Sequence, residues 1–267
     1  MTNKAGHIDF QTASCLPDFP PISLEEMREV RLMDRVDKKY VTNETVLLQI
    51  LAEANRQGYR ALESVCGKIQ PYDSIYFDTG CMDMYRDHHN RRLVRQKIRT
   101  RQYLHSGDTY LEIKKKNNKS RTKKKRMAIP AAAFRDYREE PVMNRFVEEY
   151  SGYRPEQLHP CLETVFNRIT LVNAAKTERV TIDSSLRFVN VANSVESDLG
   201  NAVVIELKQE GRAASGMKRI LLDLRVKPLR MSKYCIGTAL TDPQVPNHRF
   251  KLKIRKINKI AVLCTNI

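Results

Sequence analysis

The sequence predicts an α+β protein built around an antiparallel β-sheet that closes into a barrel, with a charged lumen and several helices outside. Two observations lead to this prediction. Many short segments alternate apolar and polar residues with the period of two that is typical of strands. Several of these segments also carry cations along one whole face. The clearest is RQKIRTRQY, from Arg95 to Tyr103, which places four cations on the same side.

The composition indicates a polyanionic partner. The chain has 267 residues, and its 47 Lys and Arg outnumber its 31 Asp and Glu, which gives a formal charge of +16. Such an excess favours nucleic acid, an acidic membrane surface or phosphate-rich small molecules, and does not choose among them. The six cysteines form no C-x-x-C pair, so neither a zinc site nor a dense disulfide framework is expected.

The ends of the chain differ from its centre. Residues 1–22 are polar and aperiodic and predict a mobile leader, whereas 23–242 are expected to form one domain. Residues 243–267 form a basic C-terminal tail. No signal-peptide core is visible, and no apolar run approaches the roughly 20 residues that a membrane span needs. A cytoplasmic protein is therefore expected.

The first elements of the domain are two helices with a strand between them. Ser23 and Glu26 form a capping-box pattern that begins a short helix. A strand follows over 30–42. A longer helix with an apolar stripe begins after Asn43 and ends at Gly58.

The rest of the domain is predicted to be mainly β-structure, because turn residues separate short alternating segments. The predicted strands cover 74–78, 92–103, 109–116, 122–129, 163–173, 177–183, 186–191 and 202–209. The predicted helices cover 131–138, 142–150, 212–223 and 231–240, and residues 83–90 are predicted to form a turn.

The charged strand faces allow two interpretations. Any single one could simply be a solvated face opposite the core. Their recurrence, and the predominance of cations, favours a closed sheet whose charged faces point into the lumen. Such a lumen must hold water and an anion, because unpaired buried charge is very costly. Guanidinium and ammonium groups match phosphate oxygens, and a carboxylate among them suits a hard divalent metal.

Ordered motifs strengthen the second interpretation. YLEIK spans Tyr110–Lys114, IELK recurs at Ile205–Lys208, and both lie in cationic surroundings. This set resembles the triphosphate tunnel metalloenzyme superfamily, and more closely the vacuolar transporter chaperone (VTC) domain, the polyphosphate polymerase module. The match runs in order from about Arg35 to Gly237. Tyr110 stands where many tunnel enzymes have a glutamate, which favours the polymerase-like branch and leaves fewer carboxylates for a metal.

The resemblance implies a set of phosphate-binding residues and a metal site. Arg99, Arg101, Arg168 and Arg179 would clamp the phosphates of the donor, and Glu206, with Glu112 as helper, would hold Mn²⁺ or Mg²⁺. The cations that it implies for the site are Lys39, Arg99, Arg101, Lys114, Lys124, Arg168, Arg179, Lys208, Arg230 and Lys233. Arg230 stands where a lysine is expected.

The function that the resemblance implies is transfer of the γ-phosphate of ATP, or of a similar triphosphate, to the end of a polyphosphate chain. One alternative is hydrolysis of a triphosphate in the same tunnel, with water as acceptor. Another is non-catalytic binding of polyphosphate or nucleic acid by the basic runs at 114–126 and 251–259. Nucleic acid is the less expected partner.

Overall fold

The fold is that of a computed structural model, which describes residues 16, 18–30, 32, 35–64, 67–119, 121–211 and 213–262. It is an α+β structure dominated by one large, mainly antiparallel sheet, as the sequence predicts. Within the described ranges, no helix is both long and apolar enough to cross a membrane.

Among the described residues, eleven strands belong to the sheet. In chain order they are β1 (Pro21–Ile22), β2 (Val36–Asn43), β3 (Arg60–Leu62), β4 (Gln70–Thr79), β5 (Arg95–Tyr103), β6 (Thr109–Lys116), β7 (Thr122–Ala128), β8 (Leu158–Val172), β9 (Glu178–Asn190), β10 (Glu196–Asp198) and β11 (Ala202–Gln209).

Seven α-helices surround the sheet within the described part of the chain. They are α1 (Leu24–Glu29), α2 (Glu44–Arg56), α3 (Asp83–His89), α4 (Pro141–Ser151), α5 (Gly216–Asp223), α6 (Lys233–Thr241) and α7 (His248–Val262). Two 3₁₀ turns cover Ala131–Phe134 and Pro155–Gln157.

The prediction of a closed barrel is wrong. The main strands pair in the order β2-β11-β9-β8-β4-β5-β6-β7, and no pairing between β2 and β7 is found within the described residues. The outer edge of β2 is instead covered by the segment before α6. There the Leu229 N–H donates to the Lys39 carbonyl over 2.8 Å, and Pro228 bridges to Tyr40. Because this segment occupies the edge, β7 does not reach it.

The two faces of the sheet differ in chemistry. On β11, the buried residues Val203, Ile205 and Leu207 point to one face and pack with α2 and α5. Glu206 and Lys208 alternate with them and so point to the other face. The sheet therefore separates an apolar layer covered by helices from a charged surface.

The last two helices pack near one end of the charged surface. Helix α6 contacts β8 and β9, and α7 contacts β2 and β11. The Asn43 side-chain amide donates to the Ile260 carbonyl over 3.2 Å, which joins the end of β2 to α7. Most of the predicted basic tail is therefore a helix packed on the domain.

The structure also differs from the sequence prediction at other places, and the predicted helix at 131–138 is only a 3₁₀ turn over Ala131–Phe134. Residues 1–15 and 17 of the predicted leader lie outside the described residues, but Leu16 and Phe19 are buried in the core and Pro21–Ile22 pairs with β3. The predicted turn at 83–90 is wrong, because Asp78 accepts hydrogen bonds from the amides that begin a helix there. Strand β9 is continuous where two strands were predicted.

The interruption in the β9 pattern has a local cause. Ser185 lies within the strand at a φ of 51°, in the left-handed region. On the neighbouring strand, the pairing register shifts between Val165 and Asn167. A bulge of this kind breaks the alternation of side chains without ending the strand.

Candidate functional site

One face of the sheet carries almost all of the cations that the sequence analysis selects. The register places Arg99 opposite Glu112 and Glu206 opposite Lys39, so these side chains share a face. We call this surface the charged face. Its members are Lys39, Lys97, Arg99, Arg101, Lys114, Lys124, Arg168, Arg179, Lys208 and Lys233, with the carboxylates Glu112, Asp183 and Glu206.

Glu112 lies at the β5–β6–β7 end of the charged face and is fully buried. Its Oε2 accepts from Arg99 Nη2 at 2.6 Å and from Arg99 Nε at 2.9 Å. Its Oε1 pairs with the ammonium group of Lys124. Burial alone would raise the pKa of Glu112, but the charges of Arg99, Arg101 and Lys124 outweigh it and hold that pKa well below its usual range.

Asp183 forms the second ion cluster, in the middle of the sheet. Its two oxygens accept from Arg168 Nε at 2.6 Å and Arg168 Nη2 at 2.8 Å, a bidentate pair. Lys233, the first residue of α6, approaches the same carboxylate from the helix. Burial opposes ionisation, but these two cations lower the pKa of Asp183 below its ordinary value.

Glu206 forms the third cluster, between β2 and β11. Lys39 pairs with its Oε1, and Lys208 pairs with its Oε2 at 3.0 Å. Burial acts to raise the pKa of Glu206, and the two lysines hold it well below the usual range. Each of the three carboxylates is therefore ionised and bound by two cations.

The remaining cations of the charged face exceed what these carboxylates can neutralise. Arg101 is 6% exposed, and its Nε donates only to the neutral Ser74 Oγ, at 3.0 Å. Neither Arg101, Lys114 nor Arg179 has a carboxylate partner among the described residues. Because unpaired charge away from water is costly, this face is suited to receive an anion of several charges.

Repulsion by neighbouring positive charges, together with burial, lowers the pKa of two half-buried cations of the charged face. The charge of Arg99, together with burial, holds the pKa of Lys114 well below its ordinary value. Burial and the charge of Arg35 lower the pKa of Arg179, although Asp37 and Glu206 act in the opposite direction. A bound polyanion would relieve both effects.

Aromatic side chains lie beneath several of the guanidinium groups. The Arg101 and Arg168 guanidinium carbons lie 5.1 and 4.9 Å from the ring centre of Tyr72. Arg99 donates to the Tyr76 hydroxyl at 3.0 Å. These contacts hold the planar groups in place without neutralising them. Arg101, which no described carboxylate pairs with, therefore keeps its charge available to an anion.

Helix α6 contributes two groups to the charged face. Ser232 begins the helix as its N-cap, and its Oγ accepts from Lys97 Nζ on β5 at 2.5 Å. Lys233 follows. Burial lowers the pKa of Lys233 to about 8, although Asp183 acts to raise it. The end of β5 and the start of α6 are thus joined beside the site.

The structure brings nine of the ten predicted cations together and leaves one outside. Arg230 is exposed to solvent near the end of the charged face. Sequence analysis missed the supporting roles of Tyr72, Tyr76 and Ser74. Their alternation along β4 is a signal for a shared face, but only the pairing of β4 with β5 places them beneath the arginines.

Within the described residues, no three His, Cys, Asp or Glu side chains come together in a group that could hold a metal ion. The predicted metal ligands Glu112 and Glu206 belong to different ion clusters, each occupied by its own pair of cations.

An antiparallel sheet whose partly buried face carries ten cations around three ion-paired carboxylates is a site of the anion-binding class. The VTC domain family matches residues 34–241, and the chain belongs to this family. No curated protein matches the chain at a significant level.

Solved structures resemble the chain in fold. A Hippeastrum protein with a dominant triphosphatase activity has a TM-score of 0.50 and 12% identity, and the match covers 80% of this chain and 99% of that one. A candidate adenylate cyclase from Bacillus halodurans has a TM-score of 0.49 and 10% identity, over 75% and 94%. At 12% identity, the likeness to the Hippeastrum protein shows a shared fold and no more.

Proposed function

We propose that this chain is a phosphotransferase of the polyphosphate polymerase type, which transfers the γ-phosphate of ATP to a polyphosphate chain bound on the charged face. The observation that supports this proposal is the excess of cations among the members of the charged face, ten against three carboxylates. Two of these cations are buried and most of the others are half-buried. A linear chain of phosphates supplies the many closely spaced negative charges that such a surface requires.

Each group of cations has a proposed role. Arg99, Arg101, Arg168 and Arg179 would bind the phosphate oxygens of the donor, because guanidinium forks match them in geometry. Lys39, Lys114, Lys124, Lys208 and Lys233 would line the path of the chain and stabilise the charge that develops during transfer.

In the proposed step, a terminal oxygen of the polyphosphate chain attacks the γ-phosphorus of ATP. A P–O bond forms there, the bond to the β–γ bridging oxygen breaks, and ADP leaves with that electron pair. The attacking oxygen is already anionic, so it needs no general base. Water does need one, and the low pKa values of Glu112, Asp183 and Glu206 make them poor bases. This favours a phosphate acceptor.

A divalent metal fits the charged face only together with the substrate. Mg²⁺ is commonly held by one or two carboxylates and completed by substrate phosphates, and the Glu206 carboxylate has the hard oxygens it prefers. Both of these oxygens are paired with lysines, so Lys39 or Lys208 would move toward the incoming phosphates. When bound, Mn²⁺ or Mg²⁺ would neutralise phosphate charge beside Glu206.

The proposal is tested by incubating the chain with ATP and Mn²⁺ and separating the products by gel electrophoresis. We expect chains that lengthen with time, with turnover abolished in Glu206→Ala and by removal of the metal. Glu53→Gln is the matched control, because it removes a glutamate that pairs with Arg56 on α2, away from the charged face. Failure to consume ATP would overturn the assignment as an enzyme.

Hydrolysis of a triphosphate is the second candidate function, and the fold shared with the Hippeastrum triphosphatase supports it. The same gel separates the two candidates. Release of orthophosphate and diphosphate, without chain growth at any acceptor concentration, would establish water as the acceptor.

A further inference from the structure

We propose that the outward side of α7 is a second binding surface for long polyphosphate chains, joined to the charged face by further cations. The inference relies on the proposed function only for the identity of the polyanion. It assigns a role to a helix that lies outside the matched family region of 34–241.

The charge of α7 is entirely of one sign. The helix covers His248–Val262 and contains no Asp or Glu. Its cations are Arg249, Lys251, Lys253, Arg255, Lys256 and Lys259. Like charges at neighbouring helix positions destabilise one another. Without a partner, this concentration of positive charge works against the helix.

The two sides of the helix differ, although Leu252 and Val262 are also exposed. Phe250 and Ile257 are buried against the domain, whereas Lys251, Arg255 and Lys259 are exposed. The spacing of four residues places these three cations in one row, about 6 Å apart along the axis. A row of this kind presents a line of positive charge to solvent.

Further cations continue the positive charge beyond the end of the charged face: Arg95 and Lys116 are half-buried, and Arg230 is exposed. Lys116 lies opposite Arg95 at the end of the β5–β6 pair. Arg230 lies two residues before Ser232, which binds Lys97 of the charged face. After burial and other neighbouring charges, the charge of Arg230 also lowers the pKa of Lys116 and of the half-buried Lys253 on α7. A polyanion that leaves the charged face at this end would meet Arg230 and then α7. This placement gives Arg230, which lies outside the charged face, a role on the path.

The chemistry of α7 favours a linear phosphate chain over other polyanions. A helix that lies on a membrane inserts an apolar face, but here Phe250 and Ile257 are already buried in the domain. Leu252 and Val262 are exposed, but they lie ten positions apart on the helix and form no continuous apolar face. Single-stranded nucleic acid is commonly bound by stacking on aromatic rings. The only aromatic ring on the helix apart from His248 is Phe250, which is buried.

The test measures binding of preformed polyphosphate to the full chain, without turnover. In the α7 variant, Lys251, Arg255 and Lys259 are changed to glutamine, which keeps a good helix-forming residue at each position. We expect the affinity for long-chain polyphosphate to fall on the order of tenfold and its salt dependence to weaken. Affinity for tripolyphosphate, which is short enough for the charged face alone, should be unchanged.

A matched control removes the same number of charges elsewhere. Arg56, Lys218 and Arg219 are exposed on α2 and α5, the helices that cover the apolar side of the sheet. Changing these three to glutamine should leave the affinity for both ligands within about twofold, since distant exposed charges are screened by salt. An equal loss in the control and α7 variants would show a non-specific charge effect and overturn the proposal.

Three further measurements distinguish this inference from the proposed function. Arg101→Gln should weaken the binding of tripolyphosphate as well as that of the long chain, because it alters the charged face. Unchanged long-chain binding in the α7 variant would overturn the inference, even if polymerase activity is found. Loss of binding to anionic lipid vesicles or to single-stranded DNA in that variant, with polyphosphate unaffected, would also overturn it.

Discussion

The hydroxyl group of Tyr234, in the first turn of α6, donates a hydrogen bond to the buried carboxylate of Asp78 at the end of β4. The same carboxylate accepts from the backbone amides of Met84 and Tyr85, at 2.9 and 2.8 Å, where α3 begins. One side chain therefore joins a strand to two helices. Because Lys233 directly precedes Tyr234, this junction positions Lys233 on the charged face.

We predict that Tyr234→Phe lowers the affinity for tripolyphosphate several-fold, measured by calorimetric titration. The change keeps the ring, which stacks on Tyr76 at 5.0 Å, and removes only the hydroxyl. A buried hydrogen bond contributes about 1 kcal/mol to stability, so the variant should fold while the start of α6 is held less firmly.

Tyr85→Phe is the matched control for this prediction. The Tyr85 hydroxyl is also engaged, donating to the Pro246 carbonyl at 2.9 Å, but the residue adjoins no member of the charged face. It should lose a similar amount of stability in urea unfolding without losing affinity. Equal affinity losses in Tyr234→Phe and Tyr85→Phe would mean that the junction has only a structural role.

Removal of the Glu112 charge should destabilise the folded chain. In Glu112→Gln, Arg99 and Lys124 lose a fully buried partner, and breaking such a pair costs about 3 kcal/mol. Urea unfolding measures the loss. Because a bound anion replaces the missing charge, tripolyphosphate should raise the melting temperature of this variant by more than that of the parent.

Asp223→Asn supplies the comparison for Glu112→Gln. It also removes one carboxylate, but from an exposed pair with Arg219 on α5, and exposed pairs contribute only about 0.5 kcal/mol. An equally small loss of stability in Glu112→Gln would show that the folded chain does not depend on the pairing of these cations with their carboxylate.

The local properties of the strands could be predicted from sequence, and the closure of the sheet could not. The alternation in RQKIRTRQY fixes which side chains of β5 share a face, and the structure confirms it through the pairing of Arg99 with Glu112. Closure depends on what covers the outer edge of β2. That position is taken by Leu229, which lies 190 positions from Lys39 in the chain, and no local pattern predicts such a contact.

Local sequence patterns also could not predict which carboxylates pair with the cations. The bidentate pair of Asp183 with Arg168 requires the β8–β9 register, which a bulge shifts. Helix α3 was missed for a related reason. Its N-terminal amides are capped by Asp78, which precedes the helix by five residues and lies on a strand, outside the usual capping position.

Binding of tripolyphosphate should weaken as the pH rises through about 8. Lys233 is charged below its pKa of about 8, which burial lowers, and becomes a neutral amine above it. Lys233→Arg stays charged over this range. Titration of the ligand affects both proteins equally. The ratio of their dissociation constants therefore isolates the contribution of Lys233 to the pH dependence of binding. A ratio that stays constant from pH 6 to about pH 9.5 would contradict the prediction.

A carboxylate away from the charged face should make the folded chain less stable as the pH rises. Asp73 lies beside Glu163, which pairs with Arg135 at 3.2 Å. Burial, and then the charge of Glu163, raises the pKa of Asp73 to about 7. In the unfolded chain the value is about 4. Between these values the folded state binds more protons, so stability falls as the pH rises.

Asp73→Asn should remove this dependence, because the amide keeps the shape of the side chain and does not ionise. At pH values above about 7 the variant is expected to be more stable than the parent, and the difference should shrink toward pH 4. Urea unfolding across that range measures both curves, with the exposed Asp223→Asn as a control that keeps the parent's slope. If Asp73→Asn is less stable than the parent above pH 7, the Asp73 carboxylate is a stabilising ion and its repulsion by Glu163 does not govern stability.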